Sequence, residues 1–351
     1  MFYPLNQVYQ ERFVTRTVNN ISRLAVVSAD DVMQVIEPVR IVHQLPAVFL
    51  KKEPYVELPV PGIKADEVLV QVKALSVNPV DVQTHRGTGI AGRLKDQLPV
   101  ILGWDISGVI TAAGDDVKEF KVGDEVFGMV NFPGHGKAYA EYVAAPAAHL
   151  ALKPANVSHE AAAATTLAAL TAYQALLQQG KLGKGQKVLI TAAAGGVGHF
   201  AVQIAKQLGA YVIGTSSAAN KDYILSIGAD EHIDYNSRQE DEVIKDADLV
   251  MDNVRSQDFA ATIRTVKKGG TYIKIPNGVP EAMQQLAKEN DVNAFFHLVQ
   301  SNGADMKVLA DWLGKGVLKP NLNLYDFSQM ELAHQQQLEG RTRGKIVVSV
   351  K

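Results

Sequence analysis

Residues 187–198 read KVLITAAAGGVG, and this segment constrains the chain more than any other. An apolar strand pattern at 188–192 runs into a turn of small residues. The turn opens a helical pattern at 198–208. Glycine in a strand–helix turn lets the backbone approach a pyrophosphate, and the helix N-terminus presents N–H donors and a positive dipole end. Ala192, Gly195, Gly196, Val197 and Gly198 are therefore candidate cofactor contacts. An alanine stands where the first glycine of G-x-G-x-x-G would be, so the bare pattern misses the site.

The next strand pattern, 211–215, ends in Ser216, Ser217, Ala218, Ala219, Asn220 and Lys221, with no carboxylate before Asp222. An acidic residue there would hold a ribose 2′-hydroxyl. Hydroxyls and a lysine suit a 2′-phosphate instead. Ser216, Ser217 and Lys221 thus favour NADPH over NADH, although Lys221 also suits a solvated helix start.

The rest of the chain frames this turn. From about 38 to 155, short strand patterns alternate with Gly and Pro breaks. They fall at 39–43, 106–112, 125–130 and 139–144, with Val68, Val70, Val72 and Ala74 at period two. This favours a barrel-like β-rich domain. From Ser158, which can cap an alanine-rich helix reaching residue 177, the pattern changes. Strands at 188–192, 211–215, 232–234, 249–252 and 271–275 alternate with helices, with a sixth at 295–299. Such alternation implies right-handed βαβ units and a parallel sheet. A helix near 306–313 and a strand at 345–350 close the chain. The fold class is α/β.

The 351 residues suit about two domains. Lys and Arg number 35 against 37 acidic residues, a net charge of −2, which gives no global pull toward nucleic acid or an anionic membrane. No apolar run reaches the roughly 18 residues of a membrane span. There is no cysteine, which excludes disulfides, thiolate metal sites and cysteine nucleophiles. It permits a reducing compartment, and the cytoplasm is the expected one. Residues 1–32 carry Arg12, Arg16 and Arg23 with few acids. Three readings stand for them: a transit-type leader, an N-terminal arm, or a start codon upstream of Met33.

Five ordered segments carry a resemblance: SVNPVD at 76–81, LGWDISG at 102–108 with FKVGDEV at 120–126, LTAY at 170–173, the turn at 192–198, and GVLKP at 316–320 with GKIV at 344–347. Together they resemble the medium-chain dehydrogenase/reductase superfamily, in its zinc-independent quinone oxidoreductase branch. The resemblance implies a GroES-like β-rich domain at 33–159 completed by 300–351, and a doubly wound Rossmann domain at 160–299. It also implies a homodimer. Zinc-dependent relatives bind zinc through a cysteine and a histidine where this chain has Asn78 and Trp104. Metal-free hydride transfer from NADPH to a quinone or an α,β-unsaturated carbonyl is the implied reaction. An NADPH-binding sensor or structural protein is the alternative.

By resemblance, Asn78 and Thr171 would lie near the nicotinamide, although Asn78 also suits a plain turn before Pro79. Gln83 stands near where this branch often carries a tyrosine. His135, in a Pro-Gly loop, is then a candidate proton donor beside solvent. Tyr235, Asn253, Ile275 and Asn277 follow strands at their carboxyl ends, where ligands bind in open α/β sheets. Arg343 and Lys345 stand within reach of a cofactor.

Overall fold

The period-two run becomes the core face of a long strand. The computed structural model describes residues 39–42, 55–255 and 259–350. The segment 1–32, Met33 and the end of the first predicted strand, His43, lie outside the described residues. The strands are β1 (Val39–Val42), β2 (Tyr55–Leu58), β3 (Glu67–Val77), β4 (Asp105–Ala113), β5 (Glu125–Met129), β6 (Tyr142–Pro146), β7 (Leu150–Leu152), β8 (Lys187–Ile190), β9 (Tyr211–Ser216), β10 (Glu231–Asp234), β11 (Ala247–Asp252), β12 (Val266–Lys274), β13 (Asn293–Phe296), β14 (Leu322–Asp326) and β15 (Lys345–Ser349).

In β3, Val68, Val70, Val72 and Ala74 are buried, while Leu69, Gln71 and Lys73 are partly exposed. β3 organises a sheet of order β14-β15-β3-β4-β5-β7, with β6 also paired to β3. Neighbours run antiparallel except β14 and β15. The β3–β4 register shifts twice, between Leu69 and Val70 and between Val72 and Ala74. Such bulges bend the ladder and tighten its twist, so this sheet curls. β15 pairs antiparallel with β3, Ile346 opposite Val77, so the chain's last strand closes a sheet begun by its first half. β1 and β2 form a separate antiparallel pair.

The second large sheet is parallel, of order β10-β9-β8-β11-β12-β13. Its strands are apolar on both faces, as a sheet covered twice requires. Val188 and Ile190 pack with Phe200, Ala201 and Ile204 of the helix Gly198–Gln207. Leu189 points the other way, to Ile263, Met283 and Ala287. Chain order reverses between β8 and β11, which opens the crevice at their carboxyl ends.

Three expectations shift in detail. The alanine-rich helix is not continuous to residue 177. It runs His159–Ala164 from the Ser158 cap, breaks, resumes as Leu167–Tyr173 and ends in a π-turn, Gln174–Gln179. Thr165 and Thr166 turn their hydroxyls back to Ala161 O and Ala163 O at 2.7 and 2.8 Å. The restarted helix then donates its Leu167 N–H to Asp105 Oδ1 at 2.9 Å. The strand expected from Tyr139 starts at Tyr142, because Tyr139 N–H bonds Leu102 O instead. The sixth parallel strand is Asn293–Phe296 rather than 295–299.

Candidate active site

The glycine turn leaves β8 and enters the helix Gly198–Gln207. Ala192 holds a φ of 48°, a left-handed conformation that costs a side chain about 1–2 kcal/mol. The positive φ brings the Ala192 carbonyl across the turn, where a Cβ at Gly198 would run into it. At Gly196 a Cβ would meet the Lys345 stem at 3.3 Å and Gly344 O at 3.5 Å. Gly344 N–H donates to Ala194 O at 2.9 Å, so the closing segment is docked on the turn. Val197 is the N-cap of the helix; Gly195 N–H donates to Ala192 O at 2.9 Å and His199 N–H to Gly195 O at 3.0 Å, which leaves the amides of Gly196, Val197 and Gly198 for an anion. His199, fully buried, bonds Gly195 O through Nδ1 at 2.9 Å. Burial lowers that imidazole to about 4, so it is neutral at pH 7.

Behind the turn lies a buried charge cluster. Lys345 is 3% exposed, and its Nζ donates to Asn78 Oδ1 at 2.5 Å and Val77 O at 3.1 Å. Asn78 Nδ2 donates to Asp105 Oδ2 at 2.8 Å, and Asn78 N–H to Asp81 Oδ2 at 2.5 Å. Asn78 also caps the helix Pro79–His85. One cation thus faces two carboxyls through a neutral amide. Burial raises both Asp81 and Asp105, and burial lowers Lys345. The Tyr139 hydroxyl faces Asp81 and stands 3.1 Å from His334 Nε2. The sequence placed Lys345 at the cofactor. In the fold its ammonium turns into the β-rich lobe, and its stem lies against Gly196.

A second buried cluster sits at the carboxyl ends of the parallel strands. Lys274 pairs with Asp252 at 2.6 Å, the two side chains 3% and 5% exposed. Lys274 also donates to Val254 O at 2.7 Å, and Tyr272 OH bonds Asp252. Thr191 Oγ1 donates to Asp252 Oδ1 at 2.8 Å. Asn253 is tied to the same threonine, through N–H to Oγ1 and Nδ2 to the carbonyl, both at 2.9 Å. Ile275 N–H bonds Asp252 O, and Asn277, at φ 66°, reaches Arg255 O at 3.5 Å. This cluster escaped the sequence reading. A lysine inside the apolar run Thr271–Ile275 was its one visible sign.

The β9 exit gathers polar groups. Ser216 Oγ lies 3.0 Å from His232 Nε2, and Ser217 Oγ accepts from Asn220 Nδ2 at 3.3 Å. Lys221 is exposed and Tyr235 is 57% exposed. Arg343 comes from the far end of the chain to bond Asn220 Oδ1 at 2.7 Å and Ala219 O at 3.2 Å. It lies 5.1 Å over the Tyr223 ring. Sequence proximity could not place His232 here.

Two candidate catalytic groups are engaged inside the fold. Thr171 is 2% exposed and donates to Leu167 O at 2.7 Å. His135 is half-buried, its Nε2 3.1 Å from Ile101 N and 3.0 Å from Ile101 O. Burial, with Lys137 nearby, lowers it to about 4. A neutral ring held against the Ile101 backbone is a poor acid at pH 7.

The residues fit a dinucleotide. The first-turn amides suit a pyrophosphate, and the buried Asn253 Oδ1 and His199 Nε2, which have no protein partner, suit hydroxyl donors of a sugar. At the positions of zinc ligands, the Asn78 amide is bonded as above and Trp104 Nε1 donates to Gly134 O at 2.7 Å. Among the described residues no three His, Asp or Glu side chains converge as a metal site would require.

Two family models match the chain: an alcohol dehydrogenase GroES-like domain over residues 64–155 and a zinc-binding dehydrogenase over residues 227–348. The 2-methylene-furan-3-one reductase of Solanum lycopersicum is 33% identical over 299 residues, 82% of this chain and 73% of that one. The chain belongs to the medium-chain dehydrogenase/reductase superfamily. A chloroplastic NADPH-dependent alkenal/one oxidoreductase of Arabidopsis thaliana, another superfamily relative, is 31% identical over 82% of this chain and 73% of its own. The solved quinone oxidoreductase of Coxiella burnetii superposes with a TM-score of 0.82 at 34% identity, covering 89% of this chain and 98% of that one. The GroES-like and Rossmann-like parts are therefore the superfamily's two modules, and the superfamily binds a nicotinamide cofactor.

Proposed function

We propose that this superfamily member is an NADPH-dependent, zinc-free reductase of quinones or α,β-unsaturated carbonyls. The observation that carries the reading is the β9 exit. There Ser216, Ser217, Lys221 and Arg343 surround the end of the strand and no carboxylate intervenes before Asp222. Two cations beside hydroxyl donors suit a dianionic 2′-phosphate. The cofactor supplies a hydride. The chain's part is to hold it, by the amides of Gly196–Gly198 and by Asn253, Ile275 and Asn277 at the strand ends.

Asn78 borders the nicotinamide side in this reading, with its amide fixed by Lys345 and Asp105. Without a zinc ligand set to polarise a carbonyl, the acceptor must already be electron-poor. A quinone needs no carbon protonation, so solvent can supply protons in place of His135. The names of the tomato, Arabidopsis and Coxiella relatives support both acceptor classes. A homodimer and a cytoplasmic location complete the proposal. Sedimentation and cell fractionation test them. No helix among the described residues is long and apolar enough to cross a membrane.

Thermal-shift titration with NADPH and NADH tests the cofactor assignment. NADPH should stabilise more at equal concentration, and Lys221→Ala should remove most of that difference while leaving NADH unchanged. Equal loss for both cofactors would refute the 2′-phosphate role.

A further inference from the structure

His297 is a buried imidazole, 7% exposed, whose Nε2 has no hydrogen-bond partner among the described residues. Such an atom costs the fold free energy, because water bonds it in the unfolded chain and nothing in the interior replaces that bond. A phenyl ring would fill the same space without the cost. The nitrogen therefore calls for a partner that the chain does not supply.

The strand register places this ring at the cleft. β12 and β13 run parallel, with Ile273 opposite Phe295 and Lys274 opposite Phe296. His297 N–H donates to Lys274 O at 2.9 Å, which carries the ladder one step further and sets His297 abreast of Ile275. Side chains alternate along a strand, so His297 falls on the face of Ile273 and Phe295. Those two pack in one apolar cluster with Trp104 and Phe132 of the β-rich lobe. The chain after His297 crosses to that lobe. Gln300 N–H donates to Gln174 Oε1 at 3.0 Å, Ser301 N–H to Phe132 O at 3.1 Å, and Phe132 N–H to Ser301 Oγ at 2.8 Å. Phe132 meets the Trp104 ring edge-on, with centroids 5.4 Å apart. Trp104 precedes Asp105, the carboxyl that holds the Asn78 amide. Residues 297–301 thus bridge the carboxyl ends of the parallel strands and the Asn78 side of the cleft, fixed at both ends.

We propose that His297, with its proton on Nε2, is the hydrogen-bond donor to the carbonyl oxygen of the acceptor. The inference rests on the reading of this cleft as a reductase site. In an apolar pocket one aimed N–H orients a carbonyl. As hydride from the cofactor forms a C–H bond at the β-carbon of an enone, the π electrons move onto the carbonyl oxygen. The N–H stabilises that enolate, and its α-carbon then takes a proton from water. Burial lowers the imidazole to about 4, so at pH 7 the ring is neutral and keeps its N–H throughout. A quinone is electron-poor enough to need less of this help.

The parent, His297→Phe and His297→Gln test the assignment. Urea midpoints read the fold, fluorescence quenching reads the NADPH dissociation constant, and initial rates are taken with cyclohex-2-enone and 1,4-benzoquinone. His297→Phe should unfold at the same or a higher urea concentration, because it removes the unpaired nitrogen. It should bind NADPH as the parent does. It should lower kcat with the enone about 10²-fold and with the quinone severalfold at most. His297→Gln, whose amide keeps an N–H, should recover part of the enone rate.

A lower urea midpoint or failure to fold in His297→Phe overturns the proposal, because the ring is then a scaffold group. An unchanged enone rate overturns it, as does an equal loss with both acceptors. Weakened NADPH binding overturns it in favour of a cofactor contact. A parent that reduces the quinone but not the enone overturns it too, since the donor serves that acceptor. A parent that binds NADPH and reduces neither overturns the reductase reading itself.

Discussion

Two lysine–aspartate clusters lie buried on the two sides of the cleft, and they are built differently. At the ends of β8, β11 and β12, Lys274 touches Asp252 directly, one charge against one. The same carboxylate accepts from Thr191 OH, Val254 N–H and Tyr272 OH. In the β-rich lobe, Lys345 reaches Asp105 only through the Asn78 amide, and Asp81 adds a second carboxyl. The first cluster is balanced and reads as scaffold for the strand-end loops. The second has an excess of acid in a fully buried site, where a proton resides more readily on a carboxyl. The contrast teaches where rigidity and where adjustable charge have been placed around one groove.

Removing Lys274 should break the balanced cluster most severely. Lys274→Met leaves the Asp252 carboxyl buried without its cation, and a loss of about 3–5 kcal/mol in urea unfolding is expected. Lys345→Met should show a marked pH dependence. With the ammonium gone, Asp81 and Asp105 move further toward their neutral forms. A carboxyl whose folded pKa is raised loses stability as pH climbs through that folded value. The deficit of Lys345→Met should therefore be large at pH 8 and shrink toward pH 5. A pH-independent deficit would erase the distinction between the clusters.

Buried histidines add a smaller effect of opposite sign. His199 and His334 are both lowered by burial from 6.5 to about 4. Their folded pKa values lie below the unfolded one, so the unfolded state binds more protons in that window. Stability should fall from about pH 6.5 toward pH 4, and His199→Gln should flatten the fall in urea midpoints. The smallest effect expected is a gain. Ala192→Gly relieves the positive φ at the turn, and a rise of about 1 kcal/mol or less should appear as a higher Tm.

The parts of the molecule legible in the sequence are those with local signatures. The strand–turn–helix at 187–208 announces a phosphate-binding turn by spacing alone, and the six parallel strands follow from alternation. The Ser158 cap is visible for the same reason. The interior of the site is not local. Asn78, Asp105 and Lys345 are brought together over separations of 27 and 267 residues, and nothing in the spacing of three polar residues announces that meeting. The broken helix was illegible too, because the reason for the break is the distant Asp105, which receives Leu167 N–H. His135 reads as a loop histidine free to donate, and only the fold shows its ring bonded to Ile101.

The most direct test is turnover. The protein, dialysed against a metal chelator, is given NADPH with 1,4-benzoquinone, phenanthrenequinone or a small enone, and absorbance is followed at the nicotinamide band. NADPH should be oxidised with at least one acceptor, at a rate that chelation leaves unchanged. Binding of NADPH without oxidation by any acceptor, or turnover that stops on chelation and returns with zinc, would contradict a metal-free NADPH-dependent reductase.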